Sequence, residues 1–132
     1  MLVAEDNEVN QMVFRQLLEG LGIGYEVAAN GEEAVRAYQR LKPRVILMDV
    51  SMPVMNGHQA ARAIRSLEEG TRDRVPIVAV TAHVLDGDRE NCLASGMDDY
   101  LTKPISTDRL EDMLGRWMDM AAFSTARRST LH

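Results

Sequence analysis

The sequence lacks the cross-linking residues, the long apolar runs and the basic excess that mark several classes of protein. Its single cysteine, Cys92, excludes an internal disulfide, and no cysteine and histidine residues have the spacing of a zinc site. No apolar run approaches the ~18–20 residues that a membrane-spanning helix needs, and the N-terminus lacks the basic and long apolar regions of a signal peptide. With 15 Lys and Arg against 20 Asp and Glu, the net charge of −5 disfavours nonspecific binding to nucleic acid.

The composition that is present fits one globular domain. Domains cluster at roughly 100–150 residues, and the 132 residues of this chain are 45% hydrophobic, which is enough to form a core. A lone cysteine fits a reducing compartment. We therefore expect a single soluble, cytoplasmic domain over residues 1–120, without membrane contact. A tail or linker is expected over residues 121–132, where the periodicity is weak.

Short apolar runs alternate along the chain with longer amphipathic segments. The runs predict strands and the amphipathic spacing predicts helices. The predicted strands are 2–4, 25–28, 45–48, 77–80 and 100–101, and the predicted helices are 8–21, 31–41, 58–69, 85–95 and 106–120. Either Asp6 or Asn7 is expected to cap the first helix. Strands that alternate with helices predict an α/β fold whose mostly parallel sheet is covered by helices on both faces.

Polar residues directly follow the predicted strands, at the sheet edge where open α/β folds bind ligands. They are Glu5 and Asp6 after the first strand, Asp49 after the third, Thr81 after the fourth, and Thr102 and Lys103 after the fifth. Singly, each has an ordinary interpretation: a helix cap, a turn residue or a solvated charge. Their joint occurrence in this chain order predicts a site.

The residue types indicate phosphoryl-transfer chemistry at this edge. Three neighbouring carboxylates repel one another and need a cation or pKa shifts. Oxygen ligands without cysteine or histidine favour a hard ion, Mg²⁺ above all. A metal, a lysine and a hydroxyl can together neutralise charge on phosphoryl oxygens. No buried histidine is evident as a base, which suits a carboxylate nucleophile that needs no deprotonation at pH 7.

These motifs resemble the receiver domain of two-component response regulators. The matching segments are Val3-Ala4-Glu5-Asp6-Asn7, Ile46-Leu47-Met48-Asp49-Val50-Ser51-Met52-Pro53, Asn56-Gly57, Val80-Thr81-Ala82 and Tyr100-Leu101-Thr102-Lys103-Pro104. The segment from Glu5 to Gln11 is most similar to receivers carried by hybrid sensor histidine kinases. The resemblance implies a doubly wound, flavodoxin-like fold, with a five-stranded parallel sheet of strand order 2-1-3-4-5 and five helices on both faces.

The resemblance also implies a role for the acidic residues. Asp49 would accept a phosphoryl group from a phosphohistidine, in a reaction that the receiver domain itself catalyses, together with the later dephosphorylation. Mg²⁺ would be bound directly by Asp6 and Asp49, through water by Glu5, and by the backbone carbonyl of Ser51. His83, two residues after Thr81, would lie near the attacking water, although a loop histidine without function is the simpler interpretation.

Three further residues take roles by the same resemblance. Lys103 would pair with Asp49 before transfer and with the phosphoryl group afterwards, and its peptide bond to Pro104 would be cis. Thr81 would then hydrogen-bond a phosphoryl oxygen, and Tyr100 would be the aromatic switch that moves between two rotamers.

The implied partners are a kinase dimerisation domain that carries a phosphohistidine and a histidine phosphotransfer domain. The first helix, through Val9, Met12 and Val13, is the expected docking surface, although the same apolar residues would suit a core-facing helix. A phosphorylation-dependent dimer is a further expectation. We favour the receiver of a hybrid histidine kinase, in the cytoplasmic part of a membrane-bound protein, and a stand-alone response regulator is the alternative.

Two more distant alternatives share parts of this pattern. A flavodoxin-like electron carrier would need a phosphate loop rich in hydroxyls and glycine after the first strand, where Glu5 and Asp6 stand instead. An Asp-nucleophile phosphatase of the haloacid-dehalogenase type would need a second aspartate two residues after Asp49, where Ser51 stands. The P-loop signature is absent from the sequence.

Overall fold

A computed structural model describes residues 1–71, 74–82 and 88–117. Strands and helices alternate along these residues. They are β1 (Leu2–Ala4), α1 (Glu8–Gly20), β2 (Glu26–Ala28), α2 (Gly31–Leu41), β3 (Ile46–Asp49), α3 (Gly57–Glu68), β4 (Ile77–Thr81), α4 (Asp88–Ala94), β5 (Asp99–Thr102) and α5 (Thr107–Trp117). Each predicted element is present, with ends that differ by a few residues. Parts of the two last predicted helices, at 85–87 and 118–120, fall outside the described residues, as do His83 and the predicted tail over 121–132.

The five strands form one parallel sheet in the order β2-β1-β3-β4-β5. This arrangement confirms the predicted doubly wound topology. The register places Ala4 beside Met48 and Asp49 beside Val80, and Thr81 beside Thr102. The ends of the central strands therefore meet at one edge, which we call the carboxyl edge. The residues that follow β1, β3 and β5 are brought together there.

Helices cover both faces of the sheet, as predicted. Alternate strand residues point to opposite faces. Leu2 and Ala4 belong to a core layer under α2, α3 and α4, whereas Val3 belongs to the layer under α1 and α5. Phe14 and Leu18 supply the buried side of α1. Within the part of the chain that the structure describes, no helix is long and apolar enough to cross a membrane.

Side-chain caps fix where the helices next to the carboxyl edge begin. The Asn7 side chain accepts hydrogen bonds from the backbone N–H groups of Val9 and Asn10, so Asn7, and not Asp6, caps α1. The alternative cap was wrong because the first helical turn opens one residue later. Asn56 caps α3 in a reciprocal capping box with Gln59. The Asp6 side chain is consequently not used as a cap.

A partly buried network of ion pairs joins α3 to the start of β5. Arg65 Nη1 lies 2.6 Å from Glu68 Oε1, and Arg65 Nη2 lies 2.7 Å from Asp98 Oδ2. Asp98 also accepts a hydrogen bond from the backbone N–H of Ile77, at 2.9 Å. Buried charges are tolerated when they are paired in this way. The sequence pattern did not single out the pair of Arg65 and Asp98, because the two residues are separated by 33 positions along the chain.

Candidate functional site

β1 and β3 bring three carboxyl groups together at the carboxyl edge. Glu5 follows β1 and has no exposed surface, while Asp49 ends β3 and is 3% exposed. Asp6 is exposed to solvent beside them. One carboxylate oxygen from each of Glu5, Asp6 and Asp49 lies within 4.8 Å of the others. The cluster predicted from the strand ends is therefore formed, and it could hold a metal ion.

Lys103 joins the cluster from the end of β5. Its Nζ lies 3.3 Å from Glu5 Oε1 and 3.3 Å from Asp49 Oδ2. The backbone N–H of Lys103 donates to the Thr81 carbonyl at 2.8 Å, and the Lys103–Pro104 peptide is cis. The ammonium group thus bridges two buried carboxylates and offsets part of their mutual repulsion.

Two residues of the first turns of α1 hold Glu5 in place. Asn10 Nδ2 donates to Glu5 Oε1 at 2.6 Å, and Gln11 Nε2 donates to the Glu5 carbonyl at 2.6 Å. Sequence reasoning gave these residues no role in the site. The available signal was the cap at Asn7, which starts the helix so that its first turns pass beside Glu5.

Only one of the two carboxylate oxygens of Glu5 has a hydrogen-bond partner among the described residues. Burial, followed by the adjacent Asp49 carboxyl, raises the pKa of Glu5 to about 7, against the lowering influence of Asn10 and Lys103. Glu5 Oε2 is buried and has no hydrogen-bond partner among the described residues. A buried, unpartnered carboxylate oxygen in a cluster of oxygen ligands fits a hard divalent cation.

The loop between β3 and α3 is tightly wrapped around Asp49. The backbone N–H of Ser51 donates to Asp49 Oδ1 at 3.1 Å, and the Ser51 side chain is exposed. A Cβ added to Gly57 would lie 2.3 Å from the Asp49 carbonyl oxygen. Gly57 was part of the predicted motif without a stated reason. The structure supplies one, since only glycine permits this close approach of two backbone segments.

Thr81 and Tyr100 lie beside the acidic cluster and outside it. Thr81 ends β4 and is buried, one residue beyond Val80, which is the register partner of Asp49. Tyr100 lies within β5 opposite Ala79, where it is half-buried against the core layer under α2, α3 and α4. The structure therefore places Thr81 near Asp49 and places Tyr100 further back in the sheet.

Comparison with known proteins gives a consistent result. A family model of the response regulator receiver domain matches residues 1–115. Hybrid signal transduction histidine kinase I of Dictyostelium discoideum is 42% identical over 118 residues, which are 86% of this chain and 7% of that kinase. The chain thus spans a small part of this relative.

Solved structures of similar fold include two receiver domains. The receiver domain of sensor histidine kinase PA1611 from Pseudomonas aeruginosa PAO1 was solved with a magnesium ion coordinated in the active site cleft. It is 45% identical with a TM-score of 0.80, and the match covers 89% of this chain and 95% of that one. The receiver domain of Ssk1 from Saccharomyces cerevisiae was solved with the histidine phosphotransfer signaling protein Ypd1. It is 35% identical with a TM-score of 0.84, and the match covers 90% of this chain and 88% of that one.

Proposed function

The chain belongs to the response regulator receiver domain family, and on that premise we propose that Asp49 is its phosphoryl acceptor. The observation that carries the proposal is the position of the Lys103 ammonium group. It lies 3.3 Å from Asp49 Oδ2 and 3.3 Å from Glu5 Oε1, at the edge where the buried strand β3 ends. A buried carboxylate beside a cation, at a ligand-binding edge, is suited to take up a charged group.

The cofactor that suits this site is Mg²⁺. Glu5, Asp6 and Asp49 offer carboxylate oxygens within 4.8 Å of one another, and Glu5 Oε2 lacks a partner among the residues described. The similar receiver domain of PA1611 holds magnesium in its cleft. In this proposal the three carboxylates and the backbone carbonyl of Ser51 hold the ion. When bound, Mg²⁺ neutralises negative charge on the carboxylates and on phosphoryl oxygens.

Asp49 acts as the nucleophile in the proposed reaction. One of its carboxylate oxygens attacks the phosphorus of a phosphohistidine, and the new P–O bond forms as the P–N bond breaks. The imidazole nitrogen of the donor keeps the electron pair of the broken bond. A carboxylate needs no general base for this step. The Ser51 N–H, at 3.1 Å from Asp49 Oδ1, orients the carboxylate, and Lys103 is close enough to turn from Asp49 to the transferred oxygens.

The new charge at Asp49 is proposed to shift the positions of Thr81 and Tyr100. Phosphorylation adds negative charge and acceptor oxygens. In this proposal the Thr81 hydroxyl, at the end of the strand adjacent to β3, donates to them. Its movement opens space in the next strand, where Tyr100 is half-buried, and Tyr100 moves inward. The response is a shift in population between two states of the face formed by α4, β5 and α5.

The domain is proposed to work within a phosphorelay of a hybrid histidine kinase. The likeness to hybrid kinase I of D. discoideum supports this context, and the complex of the similar Ssk1 receiver with Ypd1 supports a phosphotransfer domain as a partner. A kinase dimerisation domain is the other proposed phosphoryl donor. The proposal places the domain in the cytoplasm. A stand-alone regulator is the alternative context, and a dimer formed on phosphorylation is a further possibility for testing.

Labelling with acetyl phosphate and Mg²⁺ tests the acceptor assignment. We expect the parent chain to gain one phosphoryl group, detected by intact mass and mapped to Asp49 by peptide analysis, and we expect Asp49→Asn to gain none. Asp112→Asn is the matched control, because it makes the same chemical change at an exposed position of α5. It should label like the parent. Labelling of Asp49→Asn at the parental rate would refute the assignment.

A further inference from the structure

The C-terminal turn of α4 is tied to α3 by a histidine. His58 Nδ1 lies 2.8 Å from the Oγ of Ser95, a residue with no exposed surface. Ser95 Oγ also lies 3.0 Å from the Cys92 carbonyl and 3.1 Å from the Asn91 carbonyl. The single hydroxyl hydrogen can point to these two carbonyls, and in that orientation His58 Nδ1 carries the proton of the third contact. We assign this tautomer, in which the His58 ring donates to Ser95.

A second side chain of α3 reaches the same turn. Arg65 Nε donates to the Gly96 carbonyl at 2.8 Å, while its other nitrogens are held by Glu68 and Asp98. Gly96 has φ +99°, and a Cβ added there would lie 2.8 Å from Arg65 Cγ. Glycine thus allows both the left-handed backbone and the passage of the arginine across it.

The N-terminal end of α3 contacts Asp49, the proposed acceptor. The first residue of α3, Gly57, donates its N–H to the Val50 carbonyl at 3.2 Å and packs its Cα against the backbone of Asp49. His58 is the next residue. The helix behind it is fixed to the core by Ala60 and Ile64, which are fully buried. A displacement of the loop around Asp49 therefore also displaces the first turn of α3, which carries His58.

The helix α4 has little core packing of its own with which to resist such a displacement. Of the α4 side chains that the structure describes, at positions 90–94, only Cys92 is buried, and Leu93 is 49% exposed. The two bonds from α3 therefore add to the packing of Cys92 and Met97 in holding its C-terminal turn.

We propose that α3 links Asp49 to α4 as a rigid connector, and that His58 is the positioning residue which transmits the change. The inference rests on the proposed function of Asp49 and adds to it a route that does not pass through Thr81 and Tyr100. Phosphorylation alters the loop at the start of α3, and the bond from His58 to Ser95 carries that alteration to the C-terminal turn of α4.

Amide NMR of the whole chain, with and without acetyl phosphate and Mg²⁺, tests the connector. We compare the parent with His58→Leu, Ser95→Ala, the double variant, and His58→Asn, whose Nδ2 can replace the histidine donor. Without phosphorylation, the amides of Gly96 and Met97 should exchange about tenfold faster in His58→Leu, as expected for loss of one partly buried hydrogen bond. With phosphorylation, shift changes at residues 90–97 should fall below about half of the parental values, while labelling stays within about twofold.

The remaining variants separate positioning from general loosening of the fold. Ser95→Ala should have at least the effect of His58→Leu, because it also removes the contacts with the Asn91 and Cys92 carbonyls. The double variant should add nothing to Ser95→Ala, and His58→Asn should restore the parental response. Unchanged exchange in His58→Leu, or additive effects of the two single variants, would overturn the connector. A parent chain that takes up no phosphoryl group would instead refute the proposed function and the transmission that depends on it. In that case amide exchange alone still decides whether the bond from His58 exists.

Discussion

Among single residues, Glu5 has the most constrained environment in the site. It is fully buried, shares Lys103 with Asp49, and has one carboxylate oxygen with no partner among the described residues. Burial and the neighbouring carboxyl raise its pKa to about 7. Burial of this carboxyl costs solvation free energy and destabilises the fold. Its presence therefore indicates a site arranged for binding a cation rather than for stability.

The pKa of Glu5 predicts how stability depends on pH without divalent ions. The folded protein holds the Glu5 proton more tightly than the unfolded chain does, because its pKa is raised from 4.5 to about 7. The resulting stabilisation is fully present below the unfolded pKa and is lost as the pH rises through the folded pKa. At pH 8 the free energy of unfolding of Glu5→Gln should therefore exceed that of the parent by about 1–3 kcal/mol.

Urea unfolding in a chelator at pH 5 and pH 8 measures this difference. Glutamine keeps an acceptor for Asn10 and Lys103, so the variant isolates the charge of residue 5. The difference between the unfolding free energies of the parent and of Glu5→Gln should be smaller at pH 5 than at pH 8. An equal gap at both pH values would contradict the assigned pKa shift.

Substitution of Asp6 should weaken Mg²⁺ binding without unfolding the protein. Its side chain is exposed and does not cap α1, so Asp6→Asn should leave the unfolding free energy without Mg²⁺ within about 0.5 kcal/mol. Titration with Mg²⁺, followed by calorimetry or thermal shift, should give an affinity at least about tenfold weaker than in the parent. Glu8→Gln removes the same charge nearby and should titrate like the parent. An unchanged titration of Asp6→Asn would remove Asp6 from the metal site.

At the scale of elements, the connection from β3 to α3 has to meet two requirements. It must close around Asp49 and still start α3 in register for its contacts with α4. Gly57 allows the close approach to the Asp49 backbone, and the Asn56 cap fixes the helix start. The geometry of Asp49 and the position of α3 are therefore set by the same few residues.

Gly57→Ala should damage both stability and phosphorylation. Its Cβ would lie 2.3 Å from the Asp49 carbonyl oxygen, so the backbone must shift, at a cost of about 1–3 kcal/mol or more. Labelling by acetyl phosphate should slow as well, because the displaced backbone carries Asp49, the proposed acceptor. Gly20→Ala is the control: nothing lies within 4 Å of its added Cβ, and the change should be neutral or stabilising by up to about 1 kcal/mol. Equal effects of the two changes on unfolding would argue against the close approach.

At the scale of the whole molecule, some apolar residues of α1 pack in the core and others are exposed on the surface. Phe14 and Leu18 are buried under the sheet, whereas Val9 and Met12 are 69% and 59% exposed. The exposed pair lies on the helix that starts beside the acidic cluster. Apolar residues that the core does not need, next to a proposed reaction centre, favour the docking surface expected from the family resemblance.

Met12→Asp should weaken phosphoryl transfer from a partner while sparing the site. With a phosphotransfer protein that phosphorylates the parent chain, we expect the concentration for half-maximal rate to rise about tenfold, or ~1.4 kcal/mol. Labelling by acetyl phosphate, a small donor, should be unchanged. Leu67→Asp, at a comparably exposed position of α3 under the other face of the sheet, is the control. A similar loss with both variants would point to general destabilisation instead of docking.

The fold and much of the site could be predicted because their signals are local. A short apolar run ended by Asp49 marks a buried strand and its carboxyl end, and parallel topology then brings Glu5, Asp6 and Lys103 to the same edge. The support from Asn10 and Gln11 could not be predicted in this way. Their contacts depend on the angle at which α1 leaves the edge, which the pattern of residues does not specify.

The sequence by itself determined the order of strands and helices, the faces that are buried and the chemistry available at the carboxyl edge. These follow from periodicity and from the residue that ends each strand. Only the tertiary structure decided that Lys103 bridges Glu5 and Asp49, that Met12 is exposed, and that His58 reaches Ser95. Such contacts join positions far apart in the chain, and they depend on the packing of whole helices, to which single-residue preferences contribute little.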